Sequence, residues 1–100
     1  MRIRFTPSAN AQLKSAIAFT RRDRPSAVTA FSKKAKQRLL RLTEFPKSGR
    51  KVPEYPVSGV REVIISPYRF FYQERETGIW ILAVWHEAQL PEDPNASKSR

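Results

Sequence analysis

The sequence predicts an α+β fold in the order β-α-α-β-β-β, with a helical hairpin packed on a small antiparallel sheet. Three observations predict it. The first residues alternate polar and apolar, two segments of helical periodicity fill most of the first half, and three strand-like segments occupy the second half. Because helical and strand patterns are segregated along the chain, helices on one face of a sheet are expected rather than an alternating α/β fold.

The first strand and the first helix are predicted from the opening residues. Arg2–Phe5 alternates polar and apolar side chains, which suits a short strand with one buried face. Thr6 is a good N-cap and Pro7 is tolerated at the first helical position, so a helix is expected over about 7–22. Its apolar stripe consists of Leu13, Ala16, Ile17 and either Phe19 or Thr20.

A second helix is predicted after the segment Asp23-Arg24-Pro25-Ser26, which contains capping residues and a proline. Asp23 or Ser26 can cap it, and it should end at Phe45-Pro46. One face is apolar and consists of Val28, Phe31, Ala35, Leu39 and Leu42. The opposite face is basic and polar and carries Lys33, Lys34, Gln37 and Arg41. This amphipathic pattern predicts that the two helices pack side by side on the sheet.

The second half of the chain predicts an irregular connecting segment followed by three strands. This segment, called here the strap, spans 47–58, and its apolar residues Val52, Tyr55 and Val57 are expected to pack against the rest of the domain. The strands are expected over about 60–65, 68–75 and 79–86. Their connections, Ser66-Pro67 and Glu76-Thr77-Gly78, are short enough for hairpins, so these three strands should be antiparallel.

Composition and length predict one small cytoplasmic domain over residues 1–90 with a polar tail over 91–100. The chain has 100 residues and no cysteine, so neither disulfides nor a thiolate metal site is expected. The opening residues lack the apolar core of a signal peptide, and the longest apolar run is too short to cross a membrane. No metal and no cofactor is predicted.

The positive charge is concentrated in the first half of the chain. The net charge is +10, with 14 Lys/Arg against 2 Asp/Glu over residues 1–51 and 5 against 7 over residues 52–100. Such asymmetry is typical of proteins that bind a polyanion or an acidic partner. It predicts a basic helical layer over a sheet that is not electropositive.

Two segments carry a resemblance to a known family. Residues 59–72 contain Arg61-Glu62 followed by an apolar run and then Pro67-Tyr68-Arg69-Phe70-Phe71-Tyr72, and residues 78–86 form an apolar strand that ends in His86. Both resemble the RelE/ParE superfamily, the toxins of bacterial type II toxin–antitoxin pairs, and residues 45–54 are similar to its post-helical segment. The resemblance covers roughly residues 1–90. It implies a heteromeric complex with a cognate antitoxin, whose disordered segment folds onto the toxin.

The resemblance leaves two branches open. RelE-like members cleave mRNA on the ribosome, and there the resemblance implies that Arg69 contacts the scissile phosphate, with His86 and Arg61 as the other candidate catalytic residues. An ion pair with Glu62 across the hairpin is the alternative for Arg69, and a structural or interface role is favoured for His86. A two-residue hairpin places Glu62 on the same face as Arg69 and places Arg61 on the opposite face, whereas a bulge would bring Arg61 to the face of Arg69. The sequence leaves this register open.

Two observations favour the ParE-like branch, whose members trap DNA gyrase and serve plasmid stabilisation. Residues 87–90 lack the basic residues that ribonuclease-type relatives carry there, and the tail has no tyrosine. The half of the chain that builds the sheet is also not positively charged. Gln89 departs from many ParE-like relatives, which have a basic residue at that position. The sequence therefore predicts a gyrase-inhibiting toxin rather than an endoribonuclease.

Partner binding is predicted for the basic helix and for part of the sheet. The candidate contact residues are Lys33, Lys34, Arg41, Arg61, Tyr68 and Arg69. An acidic antitoxin would complement this charge and associate faster because of it. An alternative to the toxin function, from a different functional class, is a non-toxic basic adaptor that binds nucleic acid through the helices. The strand aromatics, which are Phe70, Phe71, Tyr72, Trp80 and Trp85, are expected to be core residues rather than a base-stacking platform.

Overall fold

The computed structural model describes residues 2–54 and 59–88, which form two helices on a five-stranded sheet. In chain order the elements are β1 (Arg2–Phe5), α1 (Pro7–Asp23), α2 (Ala27–Glu44), β2 (Arg50–Lys51), β3 (Arg61–Ile65), β4 (Tyr68–Arg75) and β5 (Gly78–His86). The α+β class and the predicted element order are confirmed. β2 is an additional two-residue strand within the predicted strap. Tyr55, Val57, Gln89 and the predicted tail over 91–100 lie outside the described residues.

The sheet is mixed, with strand order β1-β5-β4-β3-β2. The three predicted strands are antiparallel neighbours, but β1 runs parallel to β5, with Arg4 opposite Trp80 and Arg2 opposite Gly78. The expectation of a wholly antiparallel sheet was therefore wrong at this edge. A four-residue alternating pattern predicts which side chains are buried but carries no information on strand direction, which depends on how the helices return the chain to the sheet.

Gly78 allows β1 to lie close against β5. Its φ of +136° is in a region that L side chains rarely adopt, and a Cβ atom there would lie 2.2 Å from the Arg2 carbonyl oxygen. A residue with a side chain would therefore push the amino end of β1 away from the sheet.

The two helix starts differ in how they are capped. Thr6 Oγ1 accepts a hydrogen bond from Ala9 N at 3.1 Å, and its hydroxyl donates to the Leu82 carbonyl oxygen at 3.2 Å. The cap therefore also anchors α1 to β5. Ser26 occupies the N-cap position of α2 but makes no side-chain capping bond, and Asp23 is the last residue of α1.

The helices pack on one face of the sheet, called here the helix side. Its core combines small and apolar residues of both helices with strand residues, among them Ala9, Ala16, Phe31, Ala35, Leu39, Leu42, Ile65, Phe70, Tyr72, Ile79 and Ile81. Four residues of the predicted α2 stripe, Phe31, Ala35, Leu39 and Leu42, are buried in this core, whereas Val28 is only half-buried. Phe19, by contrast, is 54% exposed, and Thr20 is the half-buried one of the two residues considered for the end of the α1 stripe.

A second, smaller core lies on the opposite face, called here the open side. It consists of Val52, Val60, Phe71, Leu82, Ala83 and Trp85, with Trp80 packed at its margin. A register shift at Phe71/Tyr72 pairs Phe71 with Ala83 and Tyr72 with Ile81, so that Leu82 is the extra residue. The prediction that the strand aromatics are core residues is confirmed for four of them, whereas Trp80 is only half-buried. Val52 packs as predicted.

No helix in the described part of the chain is long and apolar enough to cross a membrane.

Candidate functional site

The open side holds a buried ion cluster, defined here as the Glu62 cluster: Arg50, Glu54, Glu62 and Arg69. Arg69 Nε lies 2.7 Å from Glu62 Oε1, and Arg50 Nε lies 2.5 Å from Glu62 Oε2. Arg69 Nη2 reaches Glu54 Oε1 at 3.4 Å. The Glu62 side chain is 0% exposed and the Arg50 side chain is 60% exposed. The Glu62 carboxylate therefore joins β2, β3 and β4, and Arg69 adds Glu54 of the strap to the cluster.

Arg69 is held in its charged form by this cluster. Burial by itself lowers the pKa of the Arg69 guanidinium, but the hydrogen bond and the charge of Glu62 outweigh it, so the pKa is raised above its ordinary value. The guanidinium carbon also lies 4.9 Å from the Phe71 ring centroid. Of the two interpretations of Arg69, the ion pair with Glu62 is the one found. Two of its three nitrogen atoms face protein carboxylates.

Arg61 lies on the helix side, opposite Tyr72 in the β3–β4 register. Its Nη1 donates to the Gly49 carbonyl oxygen at 2.8 Å. Glu62 and Arg69 share the open side, as the two-residue hairpin predicts. Because no bulge interrupts the β3–β4 register, Arg61 and Arg69 project from opposite faces of the sheet.

Tyr72 fastens the start of the strap to the sheet. Its buried hydroxyl donates to the Pro46 carbonyl oxygen at 2.8 Å and accepts a hydrogen bond from Gly49 N at 2.8 Å. Burial raises the pKa of this phenol, although the Gly49 hydrogen bond and the charge of Arg61 act in the opposite direction. The sequence analysis placed Tyr72 in the core but did not foresee this role, because the residues it joins are 23 or more positions away.

An apolar groove lies between the carboxyl end of α1, the amino end of α2 and the β3–β4 turn. This hairpin groove has a volume of about 440 Å³ and is lined by Phe19, Thr20, Asp23, Arg24, Ala27, Ala30, Phe31, Lys34, Ser66, Pro67, Tyr68 and His86. An adjoining hollow of about 340 Å³ extends it along α1 and shares Phe19, Tyr68 and His86. Together they form a continuous apolar depression with a mostly basic rim, of the kind that takes up side chains of a partner.

His86 belongs to this groove rather than to the Glu62 cluster. Its ring packs edge-on against Tyr68, with centroids 5.4 Å apart, and Tyr68 packs edge-on against Phe31 at 5.6 Å. Nδ1 of His86 accepts a hydrogen bond from Ala88 N at 3.0 Å, which orients the imidazole. Phe31, Tyr68 and His86 thus form an aromatic row along the groove.

The predicted basic residues of α2 are all exposed. Lys34 lines the hairpin groove, whereas the Arg41 guanidinium carbon lies 5.6 Å from the Phe45 ring centroid, at the other end of the helix. Lys33 is exposed beside Lys34. Of the six predicted partner-contact residues, the hairpin groove unites only Lys34 and Tyr68.

The three candidate ribonuclease residues do not form one site. Arg69 projects from the open side, whereas Arg61 and His86 lie on the helix side. Arg61 is opposite Tyr72 and His86 is opposite Tyr68, which separates them by four strand residues, or about 13 Å along β4. No single phosphate can contact all three.

The expected lack of positive charge on the sheet was wrong. The five strands contain seven basic residues, namely Arg2, Arg4, Arg50, Lys51, Arg61, Arg69 and Arg75, against the two acidic residues Glu62 and Glu74. The charge asymmetry along the sequence does not become an asymmetry between helices and sheet, because β1 and β2 come from the basic half of the chain.

The sequence analysis missed two further site residues. Phe19 stands at a position in α1 whose spacing in the sequence is that of the core residues, and only the structure shows that it faces the groove. Glu54 is one acidic residue in a basic strap, a weak signal for the cluster that it completes. In the described residues, no group of three or more His, Asp or Glu side chains is arranged to hold a metal ion.

A helical hairpin on one face of a five-stranded mixed sheet is the α+β architecture that the resemblance to the RelE/ParE superfamily implies. The family model described as the ParE toxin of the type II toxin–antitoxin system parDE matches residues 3–91. The chain therefore belongs to the ParE toxin family, within the RelE/ParE superfamily. The comparison with curated proteins found no match.

Proposed function

We propose that this toxin inhibits DNA gyrase and that a cognate antitoxin neutralises it by docking in the hairpin groove. Membership of the ParE toxin family supports a toxin of a type II pair. The observation that carries the choice of target is the separation of Arg61, Arg69 and His86. Cleavage of an RNA phosphodiester needs a proton-transfer group and a cation at the same phosphate. Here Arg69 projects from one face of the sheet, and Arg61 and His86 lie on the other face, about 13 Å apart along the strand direction.

The antitoxin is proposed to be a segment that folds onto the helices, with apolar side chains in the groove and acidic residues near its rim. The groove supplies Phe19, Phe31 and Tyr68 as apolar walls. The two helices and the turn between them carry nine Lys/Arg against two Asp/Glu. This charge favours an acidic partner and raises its association rate. Because the target is in the cytoplasm, the same proposal places the complex there.

The target is tested by expressing the chain without its antitoxin and by adding the purified protein to gyrase. We expect growth arrest with filamentation and DNA damage, and accumulation of cleaved DNA in the gyrase reaction. Adding the antitoxin should abolish both effects. Rapid loss of translation without DNA damage would contradict gyrase inhibition, and so would normal growth.

Ribosome-dependent mRNA cleavage is the second candidate, and one observation favours it: the sheet is basic. It predicts discrete cleavage products when the toxin is added to translating ribosomes, and loss of those products in Arg69→Ala. The non-toxic adaptor predicts unimpaired growth together with duplex binding that falls steeply with salt and depends on Lys33 and Lys34. These outcomes separate the three functions.

A further inference from the structure

An aromatic ring in contact with two arginines lies on the open side, at the β1 edge of the sheet. This Trp80 patch consists of Arg2, Arg4, Arg75 and Trp80. The guanidinium carbon of Arg4 lies 5.8 Å from the Trp80 ring centroid, and that of Arg75 lies 5.4 Å from it. The indole Nε1 donates to Thr77 Oγ1 at 3.2 Å, which fixes the orientation of the ring. The patch is thus an oriented, half-buried aromatic between two cations.

The strand register brings the patch together from three strands. Arg4 is opposite Trp80 on one side and Gln73 is opposite Trp80 on the other, so these three side chains form a row across the sheet. Arg2 and Arg75 are both opposite Gly78 and form the next row. Because Gly78 has no side chain, nothing from β5 stands between these two arginines on the open side.

Within residues 2–54 and 59–88, no carboxylate forms an ion pair with an arginine of the patch. In the described part of the chain, every ion pair belongs to the Glu62 cluster, at the other edge of the sheet. Arg75 Nε donates to the neutral Gln73 Oε1 at 2.9 Å. Glu74 is opposite Ile79 and so belongs to the helix side. Two exposed guanidinium groups, those of Arg4 and Arg75, therefore remain beside the ring, and the exposed Arg2 lies in the neighbouring row.

We propose that the Trp80 patch binds single-stranded nucleic acid. The arginines contact consecutive phosphates, and an unpaired base stacks on the exposed part of the indole or on a neighbouring guanidinium plane. Binding of phosphates would require only the arginines. An aromatic ring held among arginines is the combination that also binds unpaired bases. A duplex, whose bases are already stacked, gains nothing from the ring. This binding goes beyond the proposed function, because it does not depend on the target being gyrase.

The test measures binding of a fluorescein-labelled oligothymidylate to the purified chain by anisotropy over a salt series. The double variant Arg4→Ala/Arg75→Ala should weaken binding at least about tenfold and lower the slope of log affinity against log salt by about 0.7 per lost phosphate contact. Trp80→Leu should weaken binding about fivefold or more with little change of slope, and Trp80→Phe should retain most of the affinity. The matched control Lys33→Ala/Lys34→Ala removes equal charge from α2 and should change the affinity less than the arginine variant does.

A second readout does not depend on the variants' affinities. Oligothymidylate should quench the tryptophan fluorescence of the unaltered chain but not that of Trp80→Phe, in which the buried Trp85 remains. Circular dichroism confirms that each variant is folded before it is measured. The proposal is overturned if the lysine variant loses as much affinity as the arginine variant. It is equally overturned if Trp80→Leu binds normally or if duplex DNA binds as tightly as the single strand.

Discussion

Glu62 and Arg69 form a buried ion pair, with Arg69 Nε 2.7 Å from Glu62 Oε1, although the Glu62 side chain is 0% exposed. An ion removed from water in this way is tolerated because its partners replace the lost hydration. The same carboxylate also accepts from Arg50. The pair therefore fixes the β3–β4 hairpin and the strap relative to one another, and its disruption has a predictable cost.

Glu62→Ala is expected to lower the free energy of unfolding by about 3 kcal/mol or more. The substitution leaves the buried Arg69 guanidinium without its main counter-charge, and breaking a buried pair on one side costs that much. Urea unfolding measures it. The matched control is Arg50→Ala, which removes an exposed partner and should cost about 1 kcal/mol or less. Equal losses in the two variants would contradict the asymmetry between buried and exposed partners.

Tyr72→Phe is expected to destabilise the fold by about 1–3 kcal/mol at neutral pH. It leaves the Gly49 amide and the Pro46 carbonyl without their hydrogen-bond partner, and Gly49 is buried. Tyr68→Phe, in the same strand, is the control, since the Tyr68 hydroxyl makes none of the bonds that hold the strap. A neutral effect of Tyr72→Phe would show that the strap is held by other contacts.

The raised pKa of Tyr72 predicts a loss of stability at alkaline pH. The phenol loses its proton in the unfolded chain from about pH 10 upwards but keeps it in the folded chain to higher pH, so the unfolded state binds fewer protons there. Stability should therefore be complete below pH 10 and fall as pH rises through the folded pKa. In Tyr72→Phe this part of the decline should be missing. Parallel pH profiles for the two proteins would disprove the assignment.

Phe19→Ala is expected to weaken antitoxin binding by about tenfold or more while leaving stability nearly unchanged. Phe19 lines the groove and is 54% exposed, so its truncation removes a partner contact but little core packing. Leu40→Ala is the matched control, because Leu40 is 53% exposed but does not line the groove. Isothermal titration of the antitoxin segment gives both affinities. A larger loss in Leu40→Ala would place the contact elsewhere on α2.

The triple variant Lys33→Ala/Lys34→Ala/Arg41→Ala is expected to slow association with the antitoxin and to flatten the salt dependence of the on-rate. Exposed charges act mainly on diffusional encounter, so the dissociation rate should change less. Stopped-flow mixing at several salt concentrations separates the two rates. An unchanged on-rate with an unchanged salt dependence would remove the acidic-partner argument.

The sequence by itself determined the local elements. Thr6-Pro7 and Phe45-Pro46 set helix ends because capping and proline chemistry act over a few residues. Strand periodicity is two, so a two-residue β3–β4 turn predicted Glu62 on the same face as Arg69. Only the structure showed that no bulge shifts this register and that Arg61 lies on the opposite face. The two-residue period of a strand did not predict that Glu54 and Arg50 complete the Glu62 cluster.

Only the tertiary structure decided where β1 lies and in which direction it runs. Its four residues pair with β5, more than 70 positions along the chain, and this pairing carries Arg4 to Trp80 and Arg2 to Gly78. Charge counted along the sequence therefore misjudged the sheet, because charges act through distances in space. The exposure of Phe19 has the same origin. Whether an apolar residue at the end of a helical stripe is covered depends on what packs against that last turn, and that is a long-range property of the fold.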